Sequence, residues 1–176
     1  MTDFTEVVRS VLFGIINAEF DKIVFITDAN STAPTPPMPY ISVNTLSKNR
    51  QNGFGWVKKE TIDNDPEEDF EKDILETLHR EDELTFSMNT HSDNPDEALT
   101  IAEYLHDCLE WIAIEEMYDE GYSYVDIGPI QNRTLYMVDD YEHRYGFDVV
   151  YRINSTIERR KDTIEEAEIN GITYEL

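Results

Sequence analysis

Glu142-His143-Arg144-Tyr145-Gly146-Phe147-Asp148-Val149-Val150-Tyr151-Arg152-Ile153-Asn154 is the stretch that decides the class of fold. Tyr145, Phe147, Val149, Tyr151 and Ile153 fall on one side of an extended chain, and Arg144, Gly146, Asp148, Val150 and Arg152 on the other. A period of two is the mark of a half-buried strand, because successive side chains point to opposite faces of a sheet. The odd-numbered side is therefore expected to face a core. The even-numbered side, with Glu142, Arg144, Asp148 and Arg152, carries too much charge to be buried without partners. It is expected to be solvated on an isolated subunit.

More β-structure is expected on either side of this stretch. Tyr122 to Ile127 reads as a strand ending at the turn signal Gly128-Pro129, and Ile130 to Val138 as a further strand. Downstream, Ile164 to Ile169 and Ile172 to Tyr174 flank the turn pair Asn170-Gly171.

Upstream lies a helix with a clear start. Asn94 is placed to cap it, Pro95 suits its first position and Glu97 follows the cap by three residues. Ala98, Ile101, Leu105, Cys108, Leu109 and Ile112 form its apolar stripe, and Gly121 ends it at the latest. Before this helix, Leu84, Phe86 and Met88 alternate with Thr85, Ser87 and Asn89. Residues 71–79 and 83–91 are expected to form a hairpin turning at Arg80-Glu81-Asp82.

The N-terminal third opens with an amphipathic helix over residues 2–18. Its buried face is Phe4, Val7, Val8, Val11, Leu12, Ile15 and Ile16, and Thr2 is its expected cap. A short strand over Lys22 to Thr27 follows. Pro34, Pro36, Pro37 and Pro39 then exclude a helix and favour a stiff extended loop over residues 28–39. Tyr40 to Ser47 is a strand, and the glycines and charges of residues 48–69 suggest a second long exposed loop.

The order is helix, strands, helix, strands, without a βαβα rhythm. This predicts an α+β fold: a mixed or mainly antiparallel sheet with two main helices packed on it. A single domain over residues 1–176 is expected, with extended loops near 28–39 and 48–69.

Charge limits the partners. Lys and Arg total 14 against 38 Asp and Glu, a formal net charge of −24. Such a surface repels phosphate backbones and anionic headgroups. No apolar run approaches the ~20 residues that span a bilayer. The start, Met1-Thr2-Asp3, lacks the basic residues of a signal peptide, so production and assembly in the cytoplasm are expected. Cys108 is the only cysteine and has no disulfide partner within the chain.

The search for chemistry is equally bounded. There is no G-x-S-x-G, and Cys108 lies on an apolar stripe, where a thiol is inert. His79, His91, His106 and His143 lack the paired spacing of zinc ligands. His79 and His91 would approach only across the expected hairpin, and both are read as surface residues. The acidic run Asp63, Asp65, Glu67, Asp69 has Glu68 where a calcium loop needs glycine and Ile74 where it needs glutamate. The pair Asp139-Asp140 carries little information among 38 carboxylates. Arg159-Arg160-Lys161 is the only basic cluster, short for nucleic acid but suited to pairing with acid on a neighbouring subunit. No catalytic, metal or cofactor-binding residue is expected.

Three segments together resemble the phage neck and tail terminator proteins. One is the proline-rich loop running into a strand, Ala33-Pro34-Thr35-Pro36-Pro37-Met38-Pro39-Tyr40-Ile41-Ser42-Val43. Another is Leu84-Thr85-Phe86-Ser87-Met88-Asn89-Thr90 followed by Asp96-Glu97-Ala98 and the helix to Leu109. The third joins Val125-Asp126-Ile127-Gly128, Tyr141-Glu142-His143-Arg144-Tyr145-Gly146-Phe147-Asp148-Val149 and Ile164-Glu165-Glu166-Ala167-Glu168-Ile169. These cover most of the chain in the family's order, and the Glu142-x-Arg144 strand is the most specific. His143 stands where the family often has a second basic residue, and Tyr145 where it often has a small one.

The resemblance implies a virion structural protein without enzymatic activity. It implies a hexameric ring on the last ring of tail-tube protein, stopping tube growth and joining the neck or head-completion protein. DNA would pass through the lumen without specific binding. Candidate contact residues are Pro34, Pro36, Pro37, Glu142, Arg144, Arg152, Arg159 and Arg160. An alternative from another class is an acidic mimic of nucleic acid that regulates or inhibits a basic protein. A hydrolase built on a carboxylate pair is a third reading, which would need a concave pocket of converging, perturbed carboxylates.

Overall fold

A computed structural model of the chain describes residues 4–63, 72–136, 141–162, 166–169 and 172–175. The expected cap Thr2, the acidic residues 64–69 and the pair Asp139-Asp140 lie outside the described residues. The chain divides into two compact units. The first comprises residues 1–50 and 82–153, the second residues 51–81 and 154–176. The sequence reading expects one. Three strands longer than it anticipates run from one unit into the other: β2 (Tyr40–Asp63), β3 (Lys72–Ser92) and β7 (Tyr141–Asp162).

The first unit is α+β, as its pattern predicts. Helix α1 (Phe4–Glu19) buries Phe4, Val7, Val8, Leu12 and Ile16 and packs on β1 (Phe25–Asp28). Strand order is β1-β2-β3-β7-β4, where β4 is Ser123–Ile127. β1 is parallel to β2, while β4 and the two-residue strands β5 (Gln131–Asn132) and β6 (Leu135–Tyr136) are antiparallel to β7. The sheet is therefore mixed.

Helix α2 (Pro95–Asp107) starts as its sequence dictates: the Asn94 side chain accepts a hydrogen bond from the Asp96 amide at 2.9 Å. Its end is less regular. A π-helical turn, Cys108–Ile112, leads to the short helix α3 (Ile114–Asp119), and Gly121 reverses the chain at φ +90°. A π turn inserts one residue into the helical register. Ala113 and Met117 take the inward positions, and Ile112, expected on the buried stripe, is exposed.

One face of the first unit's sheet meets these helices. Ile41 and Val43 from β2, Leu84, Phe86 and Met88 from β3, and Phe147, Val149, Tyr151 and Ile153 from β7 share one core with α1 and α2. The rings of Phe4 and Phe86 stack at 3.5 Å, with Tyr122 and Tyr151 around them. Of the five β7 residues expected in the core, Tyr145 alone is half-buried, its hydroxyl accepting from Asn132. Gly146 is required on the opposite face. A Cβ there would lie 2.5 Å from the carbonyl oxygen of Met88, so only glycine lets β7 approach β3 this closely.

Two expectations about turns and loops are corrected. No hairpin turns at Arg80-Glu81-Asp82, where β3 continues unbroken. That tripeptide contains no glycine, proline or asparagine, and β3 lies between β2 and β7, so backbone groups on both its edges find ladder partners. In the first unit, Asp82 is buried with the Lys48 ammonium 3.2 Å away. In the second, the Arg80 guanidinium donates to the Ser155 hydroxyl at 3.0 Å. Nor is 48–69 a loop over its described part, since β2 extends to Asp63. Gly55, taken as a loop signal, marks a close strand approach instead: a Cβ there would meet the His79 carbonyl oxygen at 3.0 Å.

The described residues of the second unit are all strand. Beyond the extensions of β2, β3 and β7 it holds the hairpin β8 (Glu166–Ile169) and β9 (Ile172–Glu175), paired antiparallel with Ile169 opposite Ile172, as the Asn170-Gly171 signal predicts. The Trp56 and His79 rings stack at 3.9 Å. Glu76 is buried among three cations, with Lys59 at 3.0 Å, Arg159 at 2.6 Å and Lys161 at 3.1 Å. These cations hold its carboxyl down at about 2, well below the usual carboxylate value.

Candidate functional site

Period two places a second set of residues on the sheet face opposite the helices. Tyr40 and Ser42 alternate with Ile41 and Val43 on β2, Ser87, Asn89 and His91 with Phe86 and Met88 on β3, and Glu142 and Arg144 lead into the same face of β7. Over this face runs the proline-rich segment between β1 and β2. Pro34, Thr35 and Pro36 close a cavity of about 250 Å³ whose floor includes Ser42, His91, Glu142 and Arg144.

The floor is a connected polar chain. The Ser42 hydroxyl and His91 Nε2 are 2.8 Å apart, and His91 Nδ1 is in direct contact with Glu142 Oε1. The Tyr40 ring stacks on the imidazole at 4.2 Å, nearly parallel, and its hydroxyl donates to Glu142 at 3.4 Å. Burial pushes His91 below the ordinary histidine value, against the opposing pull of Glu142. Burial, and then the Glu142 charge, push the Tyr40 hydroxyl up to about 12.

A hydroxyl, an imidazole and a carboxylate in line have the connectivity of a nucleophile relay. The backbone does not complete one. Ser42 lies within the paired part of β2 near its start, opposite Thr27 of β1, on a strand flanked by β1 and β3, so its amide belongs to a sheet ladder. An oxyanion site needs free, convergent donors beside the nucleophile, as a strand-to-helix turn provides. The arrangement serves to pin strands β2, β3 and β7 together beneath the proline segment.

A second hub extends this face. The Arg133 guanidinium donates to Ser87 at 2.7 Å, to Asn89 at 3.0 Å and to Asp148 at 3.0 Å. Its amide donates to the Arg144 carbonyl at 2.7 Å, and Arg144 Nε returns a bond to the Arg133 carbonyl at 3.2 Å. The even-numbered side of β7, expected to be solvated on an isolated subunit, is thus half-covered by the chain itself.

The sequence candidates therefore fall into three groups. Pro34, Pro36, Glu142 and Arg144 meet at the cavity, with Pro37 exposed on the segment above it. Arg152 is paired within the first unit to Glu83 at 2.9 Å. In the second unit Arg159 is engaged by Glu76, and Arg160 is exposed. The sequence reading missed Tyr40, Ser42, His91 and Arg133. The pattern alone suggests a surface residue flanking a hairpin at His91, and the structure buries it instead. The available signal was its parity with Ser87 and Asn89 on an alternating strand, which puts it on the sheet face shared with Glu142.

Other chemistry is sparse. Burial pushes the Cys108 thiol up to about 11, which disfavours the reactive thiolate. Among the described residues, no group of three or more His, Cys, Asp or Glu is arranged to hold a metal, and no helix is long and apolar enough to cross a membrane. No curated protein matches the chain. Residues 2–175 match the profile of a protein family described as phage neck terminator protein.

Proposed function

The chain belongs to the phage neck terminator family, and from that premise we propose that it forms a six-membered ring capping the tail tube. The ring ends tube polymerisation and offers its other surface to the neck or head-completion protein. The observation that carries this reading is the family match over nearly the whole length of the chain. Membership makes it a virion component that works with other tail and neck proteins. The ring, its order and its capping role are the proposal.

The structure supports the reading in two ways. The proline-rich segment is exposed at Pro34 and Pro37 and borders a cavity with a polar floor. A stiff extended segment loses little entropy on docking, so it suits a contact with a neighbouring subunit. Glu142 and Arg144 lie beside it and complete the proposed contact. Arg160, exposed in the second unit, is a further cation that could meet a neighbour. The net charge of −24 suits a lumen that carries DNA without holding it.

Particles assembled without this chain test the reading. Tails with uncapped, overlong tubes that fail to join heads are expected. Normal, infectious particles lacking the chain would overturn it. Deleting residues 32–37 tests the contact: the core should still unfold cooperatively while joining is impaired. A deletion variant that completes infectious particles would remove the segment from the interface.

A further inference from the structure

The π turn leaves an unusual surface. By turning Ala113 and Met117 inward, it sends Trp111 and Ile112 outward. Trp111 is 81% exposed and Tyr118, one helix further on, is 66% exposed. A tryptophan and a tyrosine held this far into water on adjoining helical turns mark a contact site, because aromatic anchors dominate binding energy. Two adjoining cavities of about 470 and 370 Å³ flank them and share Ile114 and Glu115. Tyr124 of β4 lines the larger, beside Tyr118.

The rim carries one sign of charge. Glu115, Glu116 and Asp119 line the cavities, and no lysine or arginine does. Such a rim is met best by a basic surface, and this chain has few cations to offer one, with 14 Lys and Arg against 38 Asp and Glu. We propose that this surface docks a different protein of the particle, through an apolar side chain flanked by lysine or arginine. The apolar anchor enters between Trp111 and Tyr118, and the flanking cations meet Glu115, Glu116 and Asp119. The inference rests on the terminator reading for the setting, and it assigns the partner's chemistry and the face that receives it.

A photoreactive benzoylphenylalanine in place of Trp111, in assembled particles, tests this directly, with Thr100 on the exposed side of α2 as the control position. Irradiation should join position 111 to a different virion protein, at an apolar residue with Lys or Arg beside it. Cross-links to other copies of this chain overturn the proposal, as does absence of any cross-link from protein that is present in the particle. Protein missing from the particle altogether refutes the terminator reading instead, and the two failures are thereby told apart. As a second arm, the double substitution Glu115→Lys, Glu116→Lys alters two exposed residues of a short helix. It should keep the melting temperature and cut the yield of joined particles by roughly tenfold or more, since each ~1.4 kcal/mol lost is tenfold in binding. An unchanged yield from a variant that folds overturns the charge assignment.

Discussion

Residues 147–153 and 154–161 belong to the same strand, β7, yet different forces hold the two stretches. In the first, Phe147, Val149, Tyr151 and Ile153 are buried at every second position against α1, α2, β2 and β3. In the second, Ile157 is 46% exposed, and the fixed points are Arg159 and Lys161 converging on the buried carboxylate of Glu76. Apolar burial is strong and sets register, because a slip of one residue would turn the whole set to the wrong face. A charge cluster is weaker, depends on pH and salt, and tolerates local adjustment. One strand thus joins a stable unit to a softer one.

The largest expected effect lies in the first stretch. Phe147→Ala should cost about 3–5 kcal/mol by thermal or denaturant unfolding, since it opens a cavity in a packed core. Ile157→Ala should stay within about 0.5 kcal/mol of wild type. Equal losses would erase the contrast between the two halves of β7.

The polar face of the first unit should come next. His91→Ala leaves the Ser42 hydroxyl and Glu142 without their shared partner, at about 1–3 kcal/mol. The wild type should also be pH-sensitive in a defined sense. His91 titrates lower in the folded chain than its ordinary 6.5, so the unfolded chain binds the proton more readily. Stability should rise with pH towards 6.5 and be complete above it, and be lost as pH falls below. The His91→Ala variant should lack that step, and unchanged pH dependence would place the step elsewhere.

A third, smaller effect belongs to the second unit. Glu76 has its carboxyl held at about 2 against an ordinary 4.5. Its contribution is present above 4.5 and lost as pH falls from there towards 2. Amide protection over residues 73–81 and 154–161, taken relative to the intrinsic exchange rate at each pH, should fall in that window, and Glu76→Gln should show the lower protection already at neutral pH. A loss of protection spread equally over α1 and α2 would show that the unit has no separate stability. Among the charge pairs, Arg152→Ala should cost only about 0–1 kcal/mol in thermal unfolding, because its pair with Glu83 is half-exposed.

The same contrast explains what the sequence revealed. The stripe of α1 and the alternation from Phe147 to Ile153 are apolar patterns with a fixed period, the Asn94 cap of α2 is a local polar signal, and each appears in the structure at the expected residues. The continuity of β3 through Arg80-Glu81-Asp82, and of β2 through Lys58-Lys59-Glu60, is carried by ladder bonds and cross-strand charge. Neither leaves a periodic apolar trace, and Gly55 resembles a loop until the strand it touches is known. The inserted residue of the π turn is invisible to a 3.6-residue template, so Ile112 was read on the wrong side.

Of the candidate site, Pro34, Pro36, Glu142 and Arg144 were named from sequence, because prolines and charges on a strand stand out locally. Their meeting at His91 and Ser42 depends on three strands lying side by side. Sequence spacing does not encode that: 49 residues separate Ser42 from His91 and 51 separate His91 from Glu142.

Electron microscopy of the assembled neck places the chain in the particle. Six copies are expected in one ring at the head-proximal end of the tail tube, with the proline segment of residues 28–39 against the adjacent copy and Trp111 against a different protein. A ring of another order, or its absence from that position, would contradict this placement.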